Sequence, residues 1–266
     1  MQTDTSWQDL LHPGDATDFF QRRPFPAFDP ATSAYSPVNA LWLAELSRLV
    51  YRHDVEEADP APQPTRRHFL DSAGFRQRQF FLAQETGTQA MLVEFAGPSA
   101  FAVLVFRGTE QNLKDYLTDL EFGKLSLLGG DMETHPGFTA ALDSVWHEIA
   151  AAIGQTDGPM FYTGHSLGAA LATLAAARQA PRAVYTFGSP RVGNQAFAAS
   201  LGNVPIHRIV DDEDIVTTVP SEALGFRHVG TEVRLSAPNR GSSGMRLFQP
   251  PKPWADHAPV NYVDRI

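Results

Sequence analysis

Cysteine is missing from all 266 positions of this chain. Disulfide staples, thiolate nucleophiles and cysteine-bound zinc are therefore excluded, and the absence fits a reducing compartment. A long hydrophobic run is missing too, since no stretch approaches the roughly 18 apolar residues of a membrane-spanning helix. The first twenty residues lack the basic start and apolar core of a secretory leader. The expectation is a soluble protein, cytoplasmic or exported by a signal-independent route. Positive charge is scarce: 21 Lys and Arg stand against 30 Asp and Glu, a formal net charge of -9 at pH 7. That balance repels nucleic-acid phosphates and anionic lipid, and it favours neutral substrates or products that leave as anions.

What is present suffices for one sizeable core, with 43% hydrophobic and 19% charged residues. In residues 1–34, Pro13, Pro24, Pro26 and Pro30 break any long helix, while Trp7, Phe19, Phe20, Phe25 and Phe28 resist free disorder. This stretch reads as an extended segment packed on the core by its rings. Ser36-Pro37 looks like a helix cap followed by a first-turn proline. Residues 54–68 are charged and proline-rich, a surface loop. Short apolar runs predict strands at Gln79–Ala83, Met91–Ala96, Phe101–Phe106, Val184–Phe187, Ile206–Val210 and Val229–Leu235. The run Phe101–Phe106 is nearly continuous, as a strand buried on both faces should be. His135-Pro136 opens a helix with Phe138, Leu142, Val145, Trp146 and Ile149 on one side. Strands alternating with helices predict an α/β fold, a mainly parallel central sheet with helices on both faces. With no repeat and no linker, residues 35–266 read as a single domain.

The rest of the chain is organised around Gly164-His165-Ser166-Leu167-Gly168, where an apolar strand turns sharply into an alanine-rich helix. In that context the G-x-S-x-G pattern presents a serine hydroxyl at the edge of a sheet. A serine becomes a nucleophile when a histidine takes its proton and a carboxylate orients that histidine. The strand Ile206–Val210 runs into Asp211-Asp212-Glu213-Asp214, which holds candidates for the carboxylate. Four acids in a row also fit a solvated turn or a cation site. Downstream of them lie only His228 and His257. Chain order alone leaves both open as the base, and favours His257 in its C-terminal loop. An oxyanion hole needs two donors. Leu167 supplies one N–H, and Thr109, after the strand ending at Phe106, is the candidate for the other. Beyond Thr109, Leu113, Tyr116, Leu117 and Leu120 recur at helical spacing, which fits either a core-facing surface helix or a movable lid. Gly129-Gly130 reads as its hinge.

Together, Val105-Phe-Arg-Gly-Thr109, His135-Pro-Gly-Phe138, the Ser166 pentapeptide, Thr186-Phe-Gly-Ser-Pro-Arg-Val-Gly-Asn194 and Asp214-Ile-Val resemble the class 3 lipases. That family includes filamentous-fungal triacylglycerol lipases and related feruloyl esterases. The resemblance implies an α/β-hydrolase fold with a helical lid over the residues around 110–121, bearing Leu113, Tyr116, Leu117 and Leu120. It makes Ser166 the nucleophile, Asp214 the acid and His257 the base, with Thr109 and Leu167 as oxyanion donors; His228 matches a position other than the base. The chain departs from the family at Thr217, where a proline is expected, and in Ala258-Pro-Val-Asn-Tyr262 after His257. The secreted fungal members also carry disulfides and signal sequences. The expected function is a serine carboxylic-ester hydrolase, an acylglycerol lipase first, working on an ester or lipid substrate at an oil–water interface. It calls for no cofactor, no metal and no nucleic acid. The alternatives are a short-chain or feruloyl-type esterase and a catalytically silent binding module.

Overall fold

The structure is a computed structural model that describes residues 5–97, 99–109, 115, 118–120, 124–236 and 249–266. Near the N-terminus, helix α1 (Trp7–Leu11) is fixed by a capping box. In it the Ser6 hydroxyl takes the Asp9 N–H at 3.2 Å and the Asp9 carboxylate takes the Ser6 N–H at 2.8 Å. Helix α2 (Pro37–Leu49) opens as expected, with the Ser36 hydroxyl accepting the Asn39 N–H and Pro37 in the first turn. The segment between them is pinned by rings. Phe25 meets Trp42 edge-on at 4.9 Å, and Phe28 stacks on Phe101 at 4.1 Å.

Helix α3 (Arg66–Ser72) follows. Its first residue corrects the reading of 54–68 as mere surface, because Arg66 has no exposed area. The Arg66 guanidinium reaches the Glu57 carboxylate at 2.5 Å and the Arg52 carbonyl at 3.0 Å. A buried cation is tolerable when it is paired in this way.

The main sheet begins with β1 (Phe75–Ala83), β2 (Thr88–Phe95) and β3 (Phe101–Phe106). The strands β4 (Ser126–Gly129) and β5 (Met132–Thr134) then form a separate two-stranded hairpin. Gly130 lies in its turn at φ +60°. The glycine pair expected as a hinge is thus part of a paired hairpin. The main sheet resumes with β6 (Met160–His165), β7 (Ala183–Phe187), β8 (Ile206–Asp211) and β9 (Thr231–Leu235), in the order β1-β2-β3-β6-β7-β8-β9. The β1–β2 and β2–β3 pairs are antiparallel, and the four pairs from β3 to β9 are parallel.

Successive β3 side chains divide between two cores, as a two-residue period requires. Ala102, Leu104 and Phe106 join the helices α4 (Pro136–Ile153) and α5 (Leu167–Arg178) on one face. Phe101, Val103 and Val105 join α2 on the other. Within α5, Ala169, Ala170, Ala172, Ala175 and Ala176 are buried, so this helix lies close against the sheet. Fully burying a leucine such as Leu43 or Leu142 is worth about 1.5–3 kcal/mol. Two covered faces of that kind make the strand ends a rigid platform. Short helices α6 (Gln195–Ser200), α7 (Lys252–Ala255) and α8 (Pro259–Arg265) complete the described elements. Among the described residues no helix is long and apolar enough to cross a membrane.

Candidate active site

Ser166 stands between β6 and α5 at φ 59° and ψ -126°, a region that side chains rarely enter. Its N–H is tied to the Phe187 carbonyl of β7 at 3.0 Å. The turn is closed by contacts that exclude any β-carbon. One added to Gly164 would lie 2.3 Å from the Gly168 carbonyl carbon. One added to Gly168 would lie 2.2 Å from the Phe106 carbonyl oxygen. Leu167 is the first residue of α5, so its N–H is one of the first-turn donors with no partner inside the helix.

The neighbouring strand end approaches just as closely. Phe106 of β3 pairs with Gly164 of β6. A β-carbon on Gly108 would meet the Tyr51 hydroxyl at 2.0 Å and the His165 carbonyl oxygen at 2.8 Å. Half-buried Thr109 follows directly, three residues past the end of β3.

Asp214 enters from the loop after β8, and His257 from the turn between α7 and α8. Both are buried, and His257 Nδ1 lies 2.9 Å from each Asp214 oxygen. The Val216 N–H donates to Asp214 Oδ1 at 2.9 Å, and the Tyr262 hydroxyl donates to Oδ2 at 2.5 Å. A carboxylate on Nδ1 places the ring proton there and leaves the lone pair on Nε2, which is the tautomer of a general base. The pair rests on Gly188 at φ +59°. A β-carbon at Gly188 would come within 2.6 Å of Asp214 Oδ2 and 2.9 Å of His257 Nδ1.

His165 links the serine turn to the histidine loop. Its Nε2–H donates to the His257 carbonyl at 2.8 Å, and its Nδ1 accepts from the Tyr51 hydroxyl at 3.1 Å. The two imidazole rings lie 4.5 Å apart. Burial chiefly, helped by the nearby His257 ring, pulls His165 down to about 3. It stays neutral and serves as a fixed two-point strut. Sequence reasoning passed over Gly188, Tyr262, Tyr51 and His165. The first lies in the Thr186–Asn194 motif and the second five residues after His257, so position was the only signal they gave.

The structure pairs Asp214 with His257 and turns His228 elsewhere. The His228 Nε2–H donates to the Thr217 carbonyl at 2.9 Å. Burial first, then the cations of Arg208 and Arg191, push His228 down to about 3. The four consecutive acids divide among three partners, with Asp214 on His257. Arg265 donates to Asp211 Oδ2 at 2.5 Å, while Lys252 lies 2.6 Å from Asp212 and 3.5 Å from Glu213. Burial pushes the Asp211 carboxyl up to about 7 against the pull of Arg265. Its Oδ1 is buried with no hydrogen-bond partner. Of the expected lid stripe, Leu120 is buried in the core beside α4, within a helical stretch at 118–120. Leu113, Tyr116 and Leu117 lie outside the described residues.

Residues 103–224 match the family model described as lipase (class 3). A secreted mono- and diacylglycerol lipase of Fusarium solani is 36% identical over a 133-residue alignment that covers 46% of this chain and 40% of that protein. The fold is that of the α/β-hydrolases, as in lipase II of Rhizopus niveus. That structure superposes with a TM-score of 0.65 at 24% identity over 74% of this chain and 80% of its own. A solved triacylglycerol lipase whose catalytic centre is a serine-protease triad superposes with a TM-score of 0.57 at 29% identity, over 63% of this chain and 69% of its own. The chain spans 40% of the length of the first curated relatives it matches.

Proposed function

Because residues 103–224 match the class 3 lipase model, we propose that the chain is a member of that family and a serine carboxylic-ester hydrolase acting on acylglycerol esters. Ser166 Oγ attacks the ester carbonyl while His257 Nε2 takes the hydroxyl proton. Asp214 steadies the imidazolium that forms. The carbonyl oxygen, now negative, is held by the Leu167 N–H and by Thr109; one such donor is typically worth about 3 kcal/mol in the transition state. His257 returns its proton to the departing alcohol. Water, activated by the same histidine, then frees the acid from the acyl-enzyme.

The single observation that carries this reading is the buried contact of His257 Nδ1 with both oxygens of Asp214, on a loop that His165 ties to the turn of a serine held at positive φ. A silent binding module has no use for a strained serine and an oriented imidazole. In the same reading residues 35–266 are one domain, with residues 1–34 as a segment packed on its core. Labelling with a fluorophosphonate probe tests the assignment. Wild type should label and Ser166→Ala should not, with ester turnover down by several orders of magnitude. Equal labelling of both proteins would remove Ser166 from the role. Comparing nitrophenyl esters of rising chain length with an emulsified triglyceride then separates a lipase from a short-chain or feruloyl-type esterase.

A further inference from the structure

Asp214 and His257 reach each other from loops 43 residues apart. Their mutual hydrogen bonds orient the ring against the carboxylate, yet those bonds do not fix where the pair stands relative to Ser166. That placement depends on what lies behind the two loops. A small third core sits there, built from Leu10, Val216, Ala258 and Val260, with Leu11, Ile215 and Trp254 at its edge. Val216 is two residues past Asp214, and Ala258 is the residue after His257. Leu10 and Leu11 belong to neither loop, because they come from α1.

Two further contacts join α1 and the residue before its cap to the His257 side. The Thr5 hydroxyl donates to Asn261 Oδ1 at 3.0 Å, and the Asn261 amide donates to the Ala255 carbonyl at 2.6 Å. The Trp7 ring meets Trp254 edge-on at 6.4 Å. The segment is tied down again farther along. The Arg22 guanidinium forms two 2.7 Å bonds to the Asp264 carboxylate at the end of α8 and a third, at 2.6 Å, to Asp18. A five-residue helix has no stability of its own in water. Its order comes from docking, so the docked helix and the two loops fix one another.

We propose that α1 is a positioning element for the candidate base and acid, with Leu10 as the wedge that sets the Asp214 flank against the His257 flank. The proposal rests on the reading of this pair as the proton-transfer machinery of ester hydrolysis. Removing the wedge lets both loops settle by a fraction of an ångström, and displacement on the ångström scale lowers catalysis by up to about a hundredfold. Ser166 and the proposed oxyanion donors Leu167 and Thr109 lie on other elements, so the loss is expected on kcat.

The test compares Leu10→Ala with Phe25→Ala, which empties a ring of the same N-terminal segment where it packs on Phe20 and Trp42, away from both loops. Each protein is measured for kcat, KM and Tm on a soluble nitrophenyl ester. The low-field proton resonance of the His257 Nδ1–H is recorded as a readout independent of turnover. For Leu10→Ala the expected result is a kcat about tenfold lower with KM within about twofold, and a shifted or broadened resonance. Phe25→Ala should lose a similar Tm while keeping its kcat and resonance, and Leu10→Met should restore both. Equal kcat losses at equal Tm losses, or a Leu10→Ala protein with kcat and resonance unchanged, would overturn the proposal. If wild type hydrolyses no ester, the functional reading fails by itself. The resonance then decides alone, and an unchanged signal in Leu10→Ala ends the positioning role. Should Leu10→Ala not fold, Leu10→Val is read by the same criteria.

Discussion

The hydroxyl of Tyr262 donates to Asp214 Oδ2 at 2.5 Å while its oxygen accepts the Asp211 N–H at 3.3 Å. It is the third donor on a carboxylate that also takes the His257 ring and the Val216 N–H. With Tyr262→Phe, a buried charge loses one of three partners, a change worth about 1.5–3 kcal/mol for a charged acceptor. The variant should fold with a lower Tm, and its kcat should fall several-fold because the carboxylate is free to rotate away from the imidazole. Thermal melts and steady-state kinetics check both; a wild-type kcat would show that His257 and Val216 hold the carboxylate unaided.

Gly188→Ala should be far more damaging than its size suggests. Its β-carbon would occupy space 2.6 Å from Asp214 Oδ2 and 2.9 Å from His257 Nδ1. Gly87→Ala is the control, since Gly87 is also at positive φ but has nothing within 4 Å of the added carbon. Backbone strain alone costs about 1–2 kcal/mol in each. The expected outcome is a modest Tm loss with full activity for Gly87→Ala. Gly188→Ala should lose at least about tenfold in kcat, through the displaced pair. Similar activities would mean that the pair shifts without penalty.

His257→Ala should be as damaging as loss of Ser166, because members of such a set act as a unit. His228→Ala should keep most activity, since its ring only donates to the Thr217 carbonyl. Its cost is a freed carbonyl and a cavity, visible as a lower Tm. The reverse ranking of kcat values would move the base to His228.

Asp211 should make the fold less stable as pH rises. Its carboxyl is pushed up from 3.8 to about 7 in the folded chain. Between those values the folded state therefore holds a proton that the unfolded state has lost. This contribution is fully present below about pH 4, shrinks by up to about 1.4 kcal/mol per pH unit, and is gone above about pH 7. Asp211→Asn removes the titration, so its Tm should gain on wild type as the buffer is raised from pH 5 to pH 8. Parallel Tm curves for the two proteins would show that Asp211 is already ionised at low pH.

Much of this was legible because the informative residues speak locally. A short, nearly continuous apolar run suits a doubly covered strand, and Phe101–Phe106 is one. Glycines two before and two after a serine, at a strand-to-helix junction, announce the Ser166 turn. Which histidine meets the acid was less legible, since a histidine in a loop and one before a strand look alike until their hydrogen-bond partners are seen. Gly188 could not be read as the floor of the Asp214–His257 pair, because a sequence does not say which distant loops a strand end will face. Arg66 looked like surface charge, and its burial depends on Glu57 folding back over it. The glycine pair at 129–130 fits a hinge or a hairpin equally, and the pairing of Ser126–Gly129 with Met132–Thr134 decides between them.

The backbone of Ser166 also says something about how such a chain tolerates change. At φ 59° and ψ -126° a glycine would sit at ease where serine is strained by about 1–3 kcal/mol. Ser166→Gly should therefore melt above Ser166→Ala, with no turnover at all. A selection for thermal tolerance alone would discard the one hydroxyl that the turn exists to hold, so any stabilising library built on this scaffold must be screened for turnover at the same time.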